Sequence, residues 1–366
     1  MSTILTAHNQ YANRPKDEQF PNFAALLMAA TDDKNLSAER MYNLRDLAAV
    51  PSDGGVKLQS PNGTATMTHW SFGQLARTLG APAGYLRSLT PTLAADCLNY
   101  GIQQAPVGTR ANILARAANG NPEPIIRACT SESYGRAWDA DLLDLAQRHV
   151  FSMPSATRGQ WQNAPTWAGE EIAGFRGDRD SFVLQIDGGS IVTDPSAGKD
   201  GQMYRAVMLR NSETGAAGVT IETVLFRYIC GNWMLWGAVL GSSFRRRHVG
   251  SNVVRDVVRE LATVARRFCD RPASQDEALI QTLINREIAH DRAAVVDELR
   301  AMGATKEQAE GAFDRCVQQE NVSPRSFWGI AQGLTRMSQD DGYQDERYAI
   351  DKLAAVVLAR GARVAA

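Results

Sequence analysis

"MYRAVMLRNSETGAAGVTIETVLFRY", Met203 to Tyr228, decides the fold. Two long β-prone runs flank "SETGAAG", as a hairpin demands. In the second run Val219, Ile221, Thr223, Leu225, Arg227 and Ile229 alternate with Thr220, Glu222, Val224, Phe226, Tyr228 and Cys230. One face is therefore apolar as far as Arg227, which predicts a half-buried antiparallel pair. Upstream, "ANILARA" and "IIRACTS" read as two more strands around the turn-rich "ANGNPEP". "SFVLQI" reads as a short apolar strand flanked by Arg179, Asp180 and Asp187. Charges so placed often guard a sheet edge, so an edge strand is expected there. Tyr134, Arg136 and Trp138 alternate at strand spacing ahead of a helix starting at Asp139.

Helical signals lie on both sides of this β region. "FAALLMAA" suggests a short helix near the N-terminus. "HWSFGQLARTLG" has Ser71 and Gln74 in capping-box spacing, with Gly80 and Pro82 as stops. "PTLAADCLNYGIQQ" starts with Pro91 at a first-turn position. This pair could form a helix-turn-helix, but the second helix lacks basic residues to meet phosphates, so simple helical packing is expected. After Ser251, expected as a cap, Val253, Val257, Leu261, Val264 and Phe268 recur at helical spacing. Thr305 with Gln308 has the form of another capping box, and two further helices are expected over 323–337 and 345–359. The whole reads as an α+β protein. An α-rich region spans 1–105, a mainly antiparallel sheet with the long hairpin spans 106–250, and a helical region spans 251–366.

The chain has 366 residues, of which 44% are hydrophobic and 22% charged, enough to build a core and too apolar to stay disordered. No apolar run is long enough to span a membrane, and the N-terminus lacks the basic-then-apolar pattern of a secretory signal, so the cytoplasm is the expected compartment. The formal net charge of −1 confines any nucleic-acid role to local basic patches. Five cysteines form no CxxC pair, and five histidines are scattered singly. No cofactor, no metal site and no catalytic set is expected. "DGGSIVTDPSAGKDGQ" lacks the Gly-Lys-Ser/Thr ending of a phosphate-binding loop and reads as a surface loop.

The stretch with most chemical content is "FRYICGNWMLWGAVLGSSFRRRHVGSN", Phe226 to Asn252. A reactive thiol at Cys230 needs a base or cation beside it, and Arg227 and His248 are the candidates. A structural cysteine is the simpler reading. Trp233 and Trp236 either stack on bases or pack in the core. Arg245, Arg246, Arg247 and His248 lead into the helix where Arg255, Arg259 and Arg266 share one stripe at 100° per residue. Arginines so clustered beside a helix N-terminus form a phosphate-tracking surface.

"HWSFGQLARTLGAPAGYL", "IRACTSESYGRAWDADLL" and "FRYICGNWMLWGA" with "RRRHVGS" resemble a phage- and plasmid-associated family of domain-of-unknown-function proteins, prophage proteins among them. The "TSESYGRAWD" segment and Arg227, Cys230 and Asn232 are the specific elements, though Trp233 stands where the family commonly shows a histidine. The resemblance implies a mobile-element protein of a bacterial host. In coarse order, a hairpin-rich sheet followed by a helix is also similar to single-strand annealing recombinases. The expected function is binding or annealing of single-stranded DNA in recombination or replication, by a homo-oligomer larger than a dimer. Two other readings stay open: a metal-dependent enzyme acting on nucleic acid through Glu170, Glu171, Asp178, Asp180 and Asp187, and a protein-interaction factor that counters host defence.

Overall fold

The computed structural model describes residues 16–118, 121–152, 160–165, 171–177, 179–196, 201–227, 232–234, 244–250, 252–340 and 344–363. The fold is α+β, with two mainly antiparallel sheets and a helical C-terminal region.

The first sheet contains β2 (Ser37–Asn43), β3 (Ala48–Ser52), β4 (Gly55–Ser60), β5 (Gly63–Met67), β6 (Arg110–Ala118) and β7 (Asn121–Ser131), in the order β2-β6-β7-β5-β4-β3. Only β5 and β7 run parallel. The region 1–105, expected to be α-rich, thus supplies four strands of this sheet. Sequence reading missed them because they are short and their burial does not alternate cleanly. Helices α2 (His69–Thr78), α3 (Ala83–Ser88) and α4 (Pro91–Gln104) pack on this sheet through Phe72, Ala76, Leu86, Ala95 and Leu98. The cap of α2 is Thr68, whose hydroxyl accepts from Ser71 N at 3.1 Å, and not Ser71. Pro91 does occupy the first turn of α4, behind its cap Thr90.

The second sheet carries the hairpin. Its main path is β1 (Gln19–Phe20), β10 (Gly174–Arg176), β11 (Ser181–Thr193), β12 (Gln202–Asn211), β13 (Val219–Arg227) and β14 (Asn232–Met234). β8 (Trp161–Pro165) pairs with β11 and with β9 (Glu171–Ile172), and β15 (Phe244–Arg246) pairs with β13. β12 and β13 form the expected hairpin, with Met203 opposite Arg227 and Arg210 opposite Thr220. "SFVLQI" is not an edge strand. It opens β11, which has β12 along one side and β10 and β8 along the other. Asp180 and Arg210 pair with each other at 2.6 Å, so those charges are structural. Nor is "DGGSIVTDPSAGKDGQ" all loop, because β11 resumes its pairing with β12 at Ile191 after a register shift.

Helices α1 (Phe23–Asn35), α5 (Asp139–Ala146) and α6 (Val253–Cys269) bury one face of this sheet. The expected α6 stripe of Val253, Val257, Leu261, Val264 and Phe268 is buried throughout. Its cap is Asn252, which makes no side-chain cap bond, rather than Ser251, which lies outside the described residues. Tyr134 to Trp138 forms no strand and makes one isolated bridge, Tyr134 with Val249. Helices α7 (Ala273–Asn285), α8 (Arg292–Ala301), α9 (Lys306–Gln319), α10 (Phe327–Asp340) and α11 (Gln344–Arg363) enclose a further core around Trp328. The Thr305–Gln308 capping box opens α9 as expected. Arg205 ties this helical region to the sheet: its guanidinium bonds Asp276 and the carbonyl of Cys269, at 3.1 and 3.2 Å, and lies over Phe268. Among the described residues no helix is long and apolar enough to cross a membrane.

Candidate nucleic-acid interface

The arginine cluster begins on the outer side of β13. Val219 faces Arg246 and Thr220 faces Arg245 in the β13–β15 pairing, while Phe244 packs toward the helix-covered core. Arg245 and Arg246 of that strand, and Arg247 just after it, are exposed. The α6 helix starts a few residues later. Burial of its apolar stripe turns Arg255, Arg259 and Arg266 outward, and all three are exposed. Arg246 lies 3.5 Å from Asp256, both solvent-accessible, a pair worth little in stability. Among the described residues none of Arg245, Arg247, Arg255, Arg259 and Arg266 meets a carboxylate.

His248 does not belong to that surface. It is buried, and its ring stacks on Tyr134 with centroids 5.1 Å apart. Neither ring nitrogen has a well-formed hydrogen bond. Burial pushes its pKa down to about 4, against a smaller opposing effect of the backbone at Gly135 and Ala217. The imidazole is therefore neutral near pH 7 and brings no charge to a phosphate. Trp233 lies on β14 opposite Phe226. Its side chain, together with Trp236 and Cys230, lies outside the described residues.

Sequence reading missed how the hairpin connection is used. Ser212, Glu213 and Thr214 are buried between the two sheets instead of pointing into solvent. Glu213 accepts from Arg127 at 3.0 Å, from Arg176 at 3.1 Å and from the backbone N–H of Asp139 at 2.9 Å. The last bond caps α5, whose own preceding residue Trp138 offers no cap. Asp139 is held in turn by Arg176, Ser181 and Asn211. Burial and then Asp139 raise the Glu213 pKa, with Arg176 and Arg127 pulling it back. Burial also pushes the Asp33 carboxyl up, but Arg176 and Arg116, bonded to it, bring it below its ordinary value. One signal was present in the sequence: an arginine inside the apolar strand "IIRACTS" must find a buried partner.

The same connection positions a second exposed cationic group. Trp70 Nε1 and Gln74 Nε2 both donate to the carbonyl of Thr214, at 3.0 and 2.7 Å. The indole so fixed carries the Arg179 guanidinium 4.6 Å from its ring centre and that of Arg77 at 5.9 Å. Both arginines are exposed, and among the described residues neither meets a carboxylate. The other end of the connection, Gly218, abuts the Arg246 carbonyl. At 3.3–3.6 Å per residue, roughly 14 Å of chain at most separates Thr214 from Gly218. The two arginine groups thus flank one short connection.

The acidic residues considered for a metal do not converge. Asp180 pairs with Arg210, Asp187 is buried within the sheet and Glu171 is exposed. Glu170 and Asp178 lie outside the described residues. Among the described residues no three His, Cys, Asp or Glu side chains are grouped as a metal ion requires. Compared with family models, with curated proteins and with solved structures, the chain matches none.

Proposed function

We propose that this protein binds single-stranded DNA along the surface formed by β15 and α6, and that it promotes strand annealing in phage or plasmid recombination or replication. The observation that carries the reading is the run Arg245, Arg246 and Arg247, exposed at the end of a short strand and followed by Arg255, Arg259 and Arg266, exposed on the next helix. A single-stranded backbone needs a row of cations that tracks it, and no chemistry beyond that. Arg77 and Arg179, stacked on Trp70 at the far end of the same connection, supply a second contact for phosphate or base.

The order of elements supports the reading. Strands β11, β12 and β13 form a meander, and α6 follows and packs on it. This is the coarse arrangement that the similarity to single-strand annealing recombinases implies. The family resemblance supplies the setting, a mobile-element protein in the cytoplasm of a bacterial host.

Fluorescence anisotropy of a labelled oligonucleotide of about 40 nucleotides, several site sizes long, tests the proposal. The wild-type protein is expected to bind, with an affinity that falls as salt rises. No binding at low salt, or equal binding by a folded Arg245→Ala/Arg246→Ala/Arg247→Ala variant, overturns it.

A further inference from the structure

The first sheet curls on itself. Tyr42, on the edge strand β2, accepts a hydrogen bond at 2.7 Å from Asn62 in the β4–β5 turn. In the strand order, β6, β7 and β5 stand between β2 and β4. The trough that this bond closes contains a cavity of about 270 Å³, near the lower end of the roughly 300–1,000 Å³ of small-molecule sites. Its walls are Leu47, Leu58, Ile113 and Ile126, all buried.

The space exists for a reason legible in the residues. Ala38, Ala65, Ala115 and Ala117 line the trough with methyl groups, where a packed sheet interior carries larger side chains. Helix packing does not fill it either. Val56, Leu58 and Ser60 alternate onto one face of β4. Ala49, Val56 and Met67 pack with residues of α2, α3 and α4, and the wall residues Leu58, Ile113 and Ile126 cluster with Leu75 of α2, but among the described residues none from these helices lines the trough. The Ser60 end of that face is left open. Polar groups gather there: Arg40, Tyr42, Ser60 and Asn62. Arg40 is exposed, is the single charged residue of the lining, and among the described residues meets no carboxylate.

We infer that this trough is a binding site for a medium-chain carboxylate, with the chain among the alanines and the carboxylate on Arg40, Tyr42, Ser60 and Asn62. The apolar wall selects a hydrocarbon body, because an unpaired polar group buried there loses its water. A single arginine at the mouth matches one negative charge, which disfavours a dianionic head. The site is separate from the arginine surface on β15 and α6 and does not depend on it.

Titration calorimetry with hexanoate, octanoate, decanoate and dodecanoate, each below its micelle concentration, tests the inference. Affinity is expected to rise about fourfold per methylene and to stop rising once the chain fills the cavity. Ala115→Leu, which puts a larger side chain into the trough, is expected to weaken decanoate binding at least tenfold with an unchanged or higher unfolding midpoint. Ala65→Val serves the same purpose if that variant does not fold. Arg40→Ala is expected to weaken decanoate but not decanol. No decanoate binding, an affinity that climbs through dodecanoate without a break, or full binding by a folded cavity-filled variant each overturns the proposal. Oligonucleotide affinity is expected to be the same in all these variants.

Discussion

Arg127 Nη1 lies 3.0 Å from Glu213 Oε2, and both side chains are almost wholly buried. One residue sits on the first sheet and the other in the hairpin connection of the second, so this ion pair fastens the two sheets together. Arg176 and the N-terminus of α5 share the same carboxylate.

Removing that carboxylate leaves two buried guanidinium groups short of a partner. Glu213→Ala is expected to destabilise the protein by about 3–5 kcal/mol, the cost of breaking a buried pair from one side. Arg246→Ala, whose Asp256 pair is exposed, is expected to change stability by less than about 0.5 kcal/mol. Urea unfolding with unchanged slope and a shifted midpoint measures both. Equal midpoints would show that the hairpin tip does not hold the sheets.

The arginine surface makes a salt-dependent prediction. Neutralising Arg245, Arg246 and Arg247 together removes three phosphate contacts. At about 0.7 per single-strand contact, the slope of log affinity against log salt is expected to flatten by roughly two. Anisotropy titrations at several salt concentrations give the slope directly. A parallel drop in affinity with an unchanged slope would mean that these side chains do not meet phosphates.

His248 predicts a pH dependence. In the unfolded chain its imidazole takes up a proton near 6.5, and in the folded chain only near 4. Between those values the unfolded state binds more protons, so stability falls as pH drops from 6.5 toward 4. At about 1.4 kcal/mol per unit, the loss from this group is on the order of 3 kcal/mol. His248→Phe keeps a ring against Tyr134 and carries no proton, so its stability is expected to fall less over the same window. Superimposable pH profiles of the two proteins, followed by urea midpoint, would contradict this role.

Assembly is the fourth expectation. One short row of arginines on a chain of net charge −1 gives few contacts, and a repeated row multiplies them through avidity. A homo-oligomer larger than a dimer is therefore expected, assembled head to tail so that the rows align. The outer strand β2, paired on one side only with β6, offers an edge for such contact. Light scattering that finds a monomer with and without the oligonucleotide would remove this expectation.

The hairpin, the α6 stripe and the Thr305 capping box were legible because each is a local pattern within one element. The central place of "SFVLQI" was not legible, since charges that neutralise each other across strands, as Asp180 and Arg210 do, look in sequence like charges guarding an edge. His248 misled for a related reason: three arginines before it suggested a surface, while its own burial is set by Tyr134, a residue far away in the chain. The Arg77–Trp70–Arg179 stack joins positions from two regions that sequence spacing does not relate.

The Arg127–Glu213 pair spans 86 residues of chain, and this has a consequence for synthesis on the ribosome. At roughly 5–20 residues per second, about 4 to 17 s pass between the emergence of one partner and the other. Through that interval the nascent first sheet, if already formed, presents a guanidinium with no buried carboxylate to receive it. Its closure waits for the hairpin tip, so the two sheets are expected to dock late and together rather than one after the other.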